Sequence, residues 1–284
     1  MNYLKKIVLL AIIISSYSCF SAKGLPIKEV KDETTTKENI SESSNDDAND
    51  SAVIETSSDE MTKEMSKNET VNHSAWDALL KKYVANNGDV NYKGFKTEST
   101  NLNAYIDYLA SKIPAENWSV NEQLAYFINV YNANTIKLII DNYPLKSIKD
   151  IKNPWLKNRL KIGDEDYSLA DIENGILRKM NEPKIHFAIN CASFSCPKLL
   201  NTAYTAKNVQ ELMERATVEF INNTEKNKLS ANNPKISEIF KWYKNDFTEN
   251  GSLTEYINQY GKTKISKDAN IDYTDYDWSL NEQN

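Results

Sequence analysis

Ser119-Val-Asn-Glu-Gln-Leu-Ala-Tyr-Phe-Ile-Asn-Val-Tyr-Asn-Ala-Asn-Thr-Ile-Lys-Leu-Ile-Ile140 decides the architecture. Ser119 followed three residues later by Glu122 spells a capping box, and Leu124 through Ile140 is apolar on nearly every side. A helix apolar all round belongs in the middle of a core rather than at its edge. At about 100° per residue, Glu122, Ala125, Asn129, Asn132 and Ala133 share one face. A buried Asn without partners costs on the order of 1–3 kcal/mol, so this face must meet other polar groups. It is a candidate wall of a site. Glu122 is either a cap or a site residue, and Asn129 and Asn132 either anchor neighbouring backbone or line a cleft.

Shorter elements surround this helix. Trp76, Leu79, Leu80, Tyr83 and Val84 repeat at helical spacing and stop at Asn87-Gly88, and Leu102, Tyr105, Ile106 and Leu109 give another amphipathic helix. Leu160 to Ser168 reads as a hairpin turning at Gly163-Asp164, after which Ser168 caps a helix carrying Leu169, Ile172, Ile176 and Leu177. Lys184 to Asn190 reads as a strand. Helices are expected from Thr205 and between Ser252 and Tyr260, with a terminal strand over Ile271–Leu280. The expected fold class is α+β, a mainly helical single domain with a small sheet, spanning residues 71–284.

The N-terminus is different material. Residues 1–19 carry Lys5 and Lys6, an apolar run from Ile7 to Ile14, and Cys19 after small residues. The run is too short to span a bilayer and reads as a signal peptide. It resembles a bacterial lipoprotein signal, which would make Cys19 the lipidated first residue of the mature chain and place the protein in the bacterial cell envelope, extracytoplasmic and membrane-anchored. Residues 20–70 are rich in Ser, Thr, Asn, Asp, Glu and Lys, and read as a disordered polar tether because little in them can offset the entropy of ordering. A net charge of −6 with no Lys/Arg stripe argues against nucleic acid as a partner.

The capacity for chemistry is concentrated in Ile185-His-Phe-Ala-Ile-Asn-Cys-Ala-Ser-Phe-Ser-Cys-Pro197, which holds one of two histidines and two of three cysteines. Three readings compete. Cys191 is a nucleophile, with His186 or His73 as base and Asn132 or Glu122 orienting the imidazole. On this reading Asn129, Tyr131, Asn190 and Ser193 contact substrate, and the small Ala192 and Ser193 let backbone N–H groups approach an oxyanion. Alternatively, Cys191 and Cys196 form a disulfide in an oxidising compartment. The third reading, a zinc site of His186, Cys191 and Cys196, lacks the usual ligand spacing; no metal and no cofactor are expected. If residues 185–191 are extended, His186 and Cys191 face opposite sides, and a dyad requires the chain to turn.

Four separated motifs, Glu122–Ala133, Ile185–Pro197, Ile239-Phe-Lys-Trp-Tyr243 with Asp246-Phe247, and Tyr276-Asp-Trp-Ser-Leu-Asn281, resemble the bacterial form of the domain-of-unknown-function 547 family across residues 71–284. The resemblance implies no established activity, and it marks the position of Cys191 as the family's firmest thiol. Two functions follow from the residues. One is a thiol-dependent hydrolase or acyl transferase acting on amide or ester bonds of an envelope peptide or protein. The other is a non-catalytic binding or scaffolding lipoprotein with a structural Cys191–Cys196 bridge.

Overall fold

The central helix behaves as its pattern requires. The computed structural model describes residues 19–20, 22–30 and 71–283. In it Cys19–Phe20 (β1) pairs with Pro26–Ile27 (β2), and helices follow at Ser74–Tyr83 (α1), Tyr92–Thr97 (α2) and Ser99–Ala110 (α3). Val120–Asn142 (α4) is the long apolar helix, capped by the Ser119 hydroxyl accepting the Glu122 N–H. Helices α2 and α3 pack against it. Two more, Leu169–Gly175 (α5) and Val209–Ile221 (α6), do so as well. Between α4 and α5 lies the hairpin Leu160–Ile162 (β3) and Glu165–Tyr167 (β4), turning at Gly163 as expected. Ser168 caps α5 in a reciprocal box with Asp171, also as expected.

Beyond α6 come Lys235–Ser237 (β5), two single-turn helices Ile239–Trp242 (α7) and Lys244–Phe247 (α8), Leu253–Tyr260 (α9) and Asp272–Thr274 (β6). They close over a second apolar cluster built on Phe187, Phe220, Phe240 and Phe247. The fold is mainly helical α+β, and among the described residues the strands form three two-stranded ladders, so the small sheet is dispersed rather than continuous.

Two expected strands are corrected. Residues 184–190 are not extended: Pro183–Phe187 is a 3-10 turn, with Pro183 in its first turn and the Glu182 carboxylate accepting the Lys184 N–H. Pro pre-sets a helical φ, and the cap satisfies a free N–H, so local chemistry favours a turn over the pleat suggested by alternation. At the C-terminus only Asp272–Thr274 is a strand, parallel to β5. The remaining tail laces across other loops through isolated bridges, Ser147 to Ser279, Ser193 to Leu280 and Val90 to Glu282. The first helix also ends earlier than expected, at Tyr83, and Asn87-Gly88 turns the chain between the bridged Val84 and Val90.

Within the span expected as a tether, residues 23–30 lie on the domain. Leu25 and Ile27, two positions apart, are buried in the main cluster. The Lys28 N–H donates to Gln123 Oε1 and the Val30 N–H to the Met180 carbonyl, each at 3.0 Å. Burying such a side chain contributes roughly 1.5–3 kcal/mol, enough to hold a strap whose backbone is also bonded. Val71 is buried as well. The rest of that span, residues 31–70, lies outside the described residues. Residues 1–18, within the stretch expected as a signal peptide, lie outside the described residues. Among the described residues no helix is long and apolar enough to cross a membrane.

Candidate functional site

Asn132 reaches from the middle of α4 and grips the segment that leads into Cys191. Its Nδ2 donates to the Ala188 carbonyl at 3.0 Å and its Oδ1 accepts the Asn190 N–H at 2.8 Å. Asn190 then ties the cysteine loop to itself: its Oδ1 accepts the Ala192 N–H and its Nδ2 donates to the Pro197 carbonyl, both at 2.8 Å. Ala192 takes a φ of 59°, a left-handed conformation that costs a non-glycine residue about 1 kcal/mol or more and that these bonds sustain. The loop brings the Cys191 and Cys196 sulfurs within 3.0 Å of each other, with both thiols free.

The C-terminal tail completes the surroundings. Phe194 and Ser195 donate backbone N–H groups to the Ser279 and Asp277 carbonyls, and Ser195 Oγ accepts the Asp277 N–H. This lacing holds the Tyr276 hydroxyl 3.3 Å from the Cys191 sulfur and 2.8 Å from Ser193 Oγ, which is itself 3.1 Å from that sulfur. Cys191 is partly exposed and Cys196 is buried. The Cys196 S–H bonded to it, with the Ser193 and Tyr276 hydroxyls, lowers the Cys191 pKa to about 7 against the opposing effect of burial. Burial, reinforced by the neighbouring Cys191, pushes Cys196 up.

Cys191 opens on a cleft of about 470 Å³. Its wall is aromatic: Tyr276 packs tilted against Trp278 at 4.5 Å and against Trp242 at 4.8 Å, and Trp155 meets Trp278 edge-on at 5.6 Å. Leu156 and Trp242 are exposed at the cleft. Among the polar residues lining the cleft are His186, Glu173 and Asn174. Glu173, on α5, accepts hydrogen bonds from the Tyr131 and Tyr243 hydroxyls. His186 stacks face to face on Tyr243 at 3.9 Å, and its Nε2 lies 2.8 Å from Asp246 Oδ2. Burial opposes ionisation of Asp246, but a bidentate Arg178 and His186 outweigh it and hold that carboxyl well below its ordinary range. The ionised carboxylate accepts the Nε2–H, and Nδ1 is buried without a hydrogen-bond partner among the described residues.

The residues expected at the site separate into three groups. Cys191, His186, Tyr131 and Ser193 are brought together, although no hydrogen bond joins His186 to the Cys191 sulfur. Asn132, Asn190 and Asn129 are scaffold: Asn129 clasps the Tyr204 backbone with both ends of its amide. Asn132 orients the cysteine loop, and Asp246 takes the imidazole-orienting position that had been read for Asn132 or Glu122. His73 and Glu122 lie elsewhere. His73 is buried between α1 and α3 with Nδ1 2.7 Å from the Tyr105 hydroxyl. Glu122 sits in the first turn of α4, about 15 Å along the axis from Asn132 at 1.5 Å per residue. The Ala192 N–H, expected to face an oxyanion, is engaged by Asn190. Glu173, Tyr243, Asp246 and Tyr276 were not read as site residues. Of these, Tyr243, Asp246 and Tyr276 stand in the motifs that carried the family resemblance.

Residues 115–221 match the model of a family described as "Protein of unknown function, DUF547". Over these residues the chain is similar to the DUF547 family. The DUF547 match contains α4, α5, the cysteine loop and α6, and with them Asn132, Glu173, His186, Cys191 and Cys196. Asp246, Tyr243 and the Trp242–Tyr276–Trp278 wall lie beyond it, so the cleft is formed by the DUF547 match together with the segment that follows. No curated protein and no solved structure matches the chain. Among the described residues no group of three or more His, Cys, Asp or Glu is placed to hold a metal ion.

Proposed function

We propose that this protein is a lipid-anchored, extracytoplasmic member of the bacterial cell envelope whose DUF547 domain uses Cys191 as the nucleophile of a thiol-dependent hydrolase or acyl transferase, acting on ester or amide bonds of an envelope peptide or protein. The observation that carries the reading is the Cys191 sulfur at an open aromatic cleft, bonded by Cys196, Ser193 and Tyr276. These donors favour thiolate over thiol, so the nucleophile forms near neutral pH without a directly bonded base. Attack on a carbonyl carbon forms a thioester and expels the leaving group, and water or a second nucleophile then releases the acyl chain. His186, whose imidazole is held by Asp246 in the cleft wall, takes the proton of that second nucleophile. The aromatic wall also supports a second reading, a binding module that holds an apolar peptide without chemistry.

Reaction with p-nitrophenyl acetate separates the two. The full-length chain should release nitrophenol in a burst and carry one acetyl group on the peptide containing Cys191, and Cys191→Ser should lose the burst. Absence of an acetyl group on Cys191 favours the binding module. Anchoring is tested separately: Cys19→Ala should move the protein from the membrane to the soluble extracytoplasmic fraction, and unchanged partitioning into detergent would remove the lipoprotein reading.

A further inference from the structure

Acyl transfer needs one sulfur, and the cleft presents two. Cys196 stands directly behind Cys191, 3.0 Å away, and its own sulfur accepts the Cys191 N–H at 3.1 Å. The pair is held on a loop pinned from three sides: by Asn132, by the Asn190–Pro197 bond, and by the C-terminal tail. A disulfide requires sulfurs about 2.05 Å apart, so the two are separated by a shift of about 1 Å rather than by a rearrangement. Their accessibilities differ in a useful sense. Both sulfurs border the cleft, but Cys191 is partly exposed there, whereas Cys196 is buried.

We propose that Cys191 and Cys196 form a thiol–disulfide exchange pair, with Cys191 attacking a disulfide seated in the aromatic cleft and Cys196 resolving the product. The inference does not depend on acyl transfer. In the first step Cys191 gives its proton to water, its thiolate bonds to one sulfur of the incoming disulfide RS–SR′, and R′S⁻ leaves and takes a proton from water. In the second, Cys196 gives its proton to water and attacks the Cys191 sulfur, so that RS⁻ leaves and is protonated. Two electrons pass from the protein to the substrate, the two protein thiols become one disulfide, and two product thiols are released. A second dithiol must reduce the pair before another cycle.

The electrostatics suit this order. Cys191, the more acidic thiol, is the one open to the cleft. The neighbouring Cys191 sulfur is one of the causes that hold Cys196 protonated. Once Cys191 is locked in a mixed disulfide, that negative neighbour is gone and Cys196 ionises more readily, at the step that requires its thiolate.

The test uses the full-length chain carrying Cys19→Ser, so that Cys191 and Cys196 are its only thiols, with oxidised glutathione as probe at pH 7. Mass spectrometry after an acid quench should find the protein lighter by two hydrogens, with a Cys191–Cys196 bridge and no retained glutathione. Cys196→Ser and Cys196→Ala should each stall with glutathione on Cys191, and Cys191→Ser should react about tenfold more slowly or less. Glutathione retained on the protein that has both cysteines, equal rates for the two single-cysteine proteins, or no reaction would overturn the proposal. Loss of exchange with the acetyl burst intact would do so without touching the acyl-transfer reading.

Discussion

Replacing Asn132 by alanine lowers the stability of the domain by about 2–4 kcal/mol, because two buried backbone groups lose their partners at once. The Ala188 carbonyl and the Asn190 N–H are both bonded to this one amide, and Asn132 is 2 % exposed, so water cannot replace it without opening the core. For a domain of this size the melting temperature should fall by roughly 5–15 °C. A second consequence separates a positioning role from simple packing. With its anchor gone, the loop no longer holds Cys191 against Ser193 and Tyr276, so the thiol pKa rises towards the ordinary value and alkylation by iodoacetamide at pH 6 slows relative to the unaltered protein. The measurement is the pH profile of alkylation on folded protein, below its melting point. A profile that stays in place while stability falls would reduce Asn132 to core packing, and a melting temperature within 2 °C of the parent would remove the clamp altogether.

Acid should destabilise the protein through His73, by about 3 kcal/mol between pH 6.5 and 4. Burial lowers the pKa of this imidazole from 6.5 to about 4. The unfolded chain therefore binds a proton near pH 6.5 that the folded chain refuses until about pH 4. Stability is fully present above pH 6.5 and is lost as pH falls through the window, since the unfolded state holds more protons there. Each pKa unit corresponds to 1.36 kcal/mol, which gives the size of the effect. His73→Gln keeps a partner for the Tyr105 hydroxyl and removes the titration. Plotted against pH from 7 to 4, the difference in melting temperature between the two proteins should shrink or reverse as the pH falls. Parallel curves would show that His73 does not titrate in this window. The Asp246 carboxyl, held low by Arg178 and His186, contributes only at more acid pH, so the windows separate.

Much of the fold was legible in the sequence because it was encoded locally. Ser119 at the start of α4, Ser168 at the start of α5 and Ser252 at the start of α9 each announced a helix through a side chain that accepts an N–H two or three residues on. The apolar circumference of α4 required burial on all sides, and α2, α3, α5 and α6 supply it. Gly163 marked the one tight hairpin. The segment 184–190 misled because its alternation of apolar and polar residues is real but is set by tertiary partners. Ile185 and Ala188 belong to the main cluster, Phe187 to the second, and His186 to Asp246, so the alternating directions reflect a turn between two cores rather than a pleat.

The sequence by itself determined that one short segment carries the thiols, that α4 is central, and that its buried amides must find partners. Only the tertiary structure decided which partners those are. Asn132 and Asn190 spend their hydrogen bonds on backbone, and so build the loop. The imidazole is oriented by Asp246, sixty residues away in the chain, and the thiol is tuned by Tyr276, eighty-five residues away. Neither relation has a period or a spacing that could announce it, because a hydrogen bond between distant elements depends on how α7, α8 and the C-terminal tail fold back over the cleft. The sequence places two cysteines five residues apart; the turn at Ala192, sustained by Asn190, is what brings their sulfurs into contact.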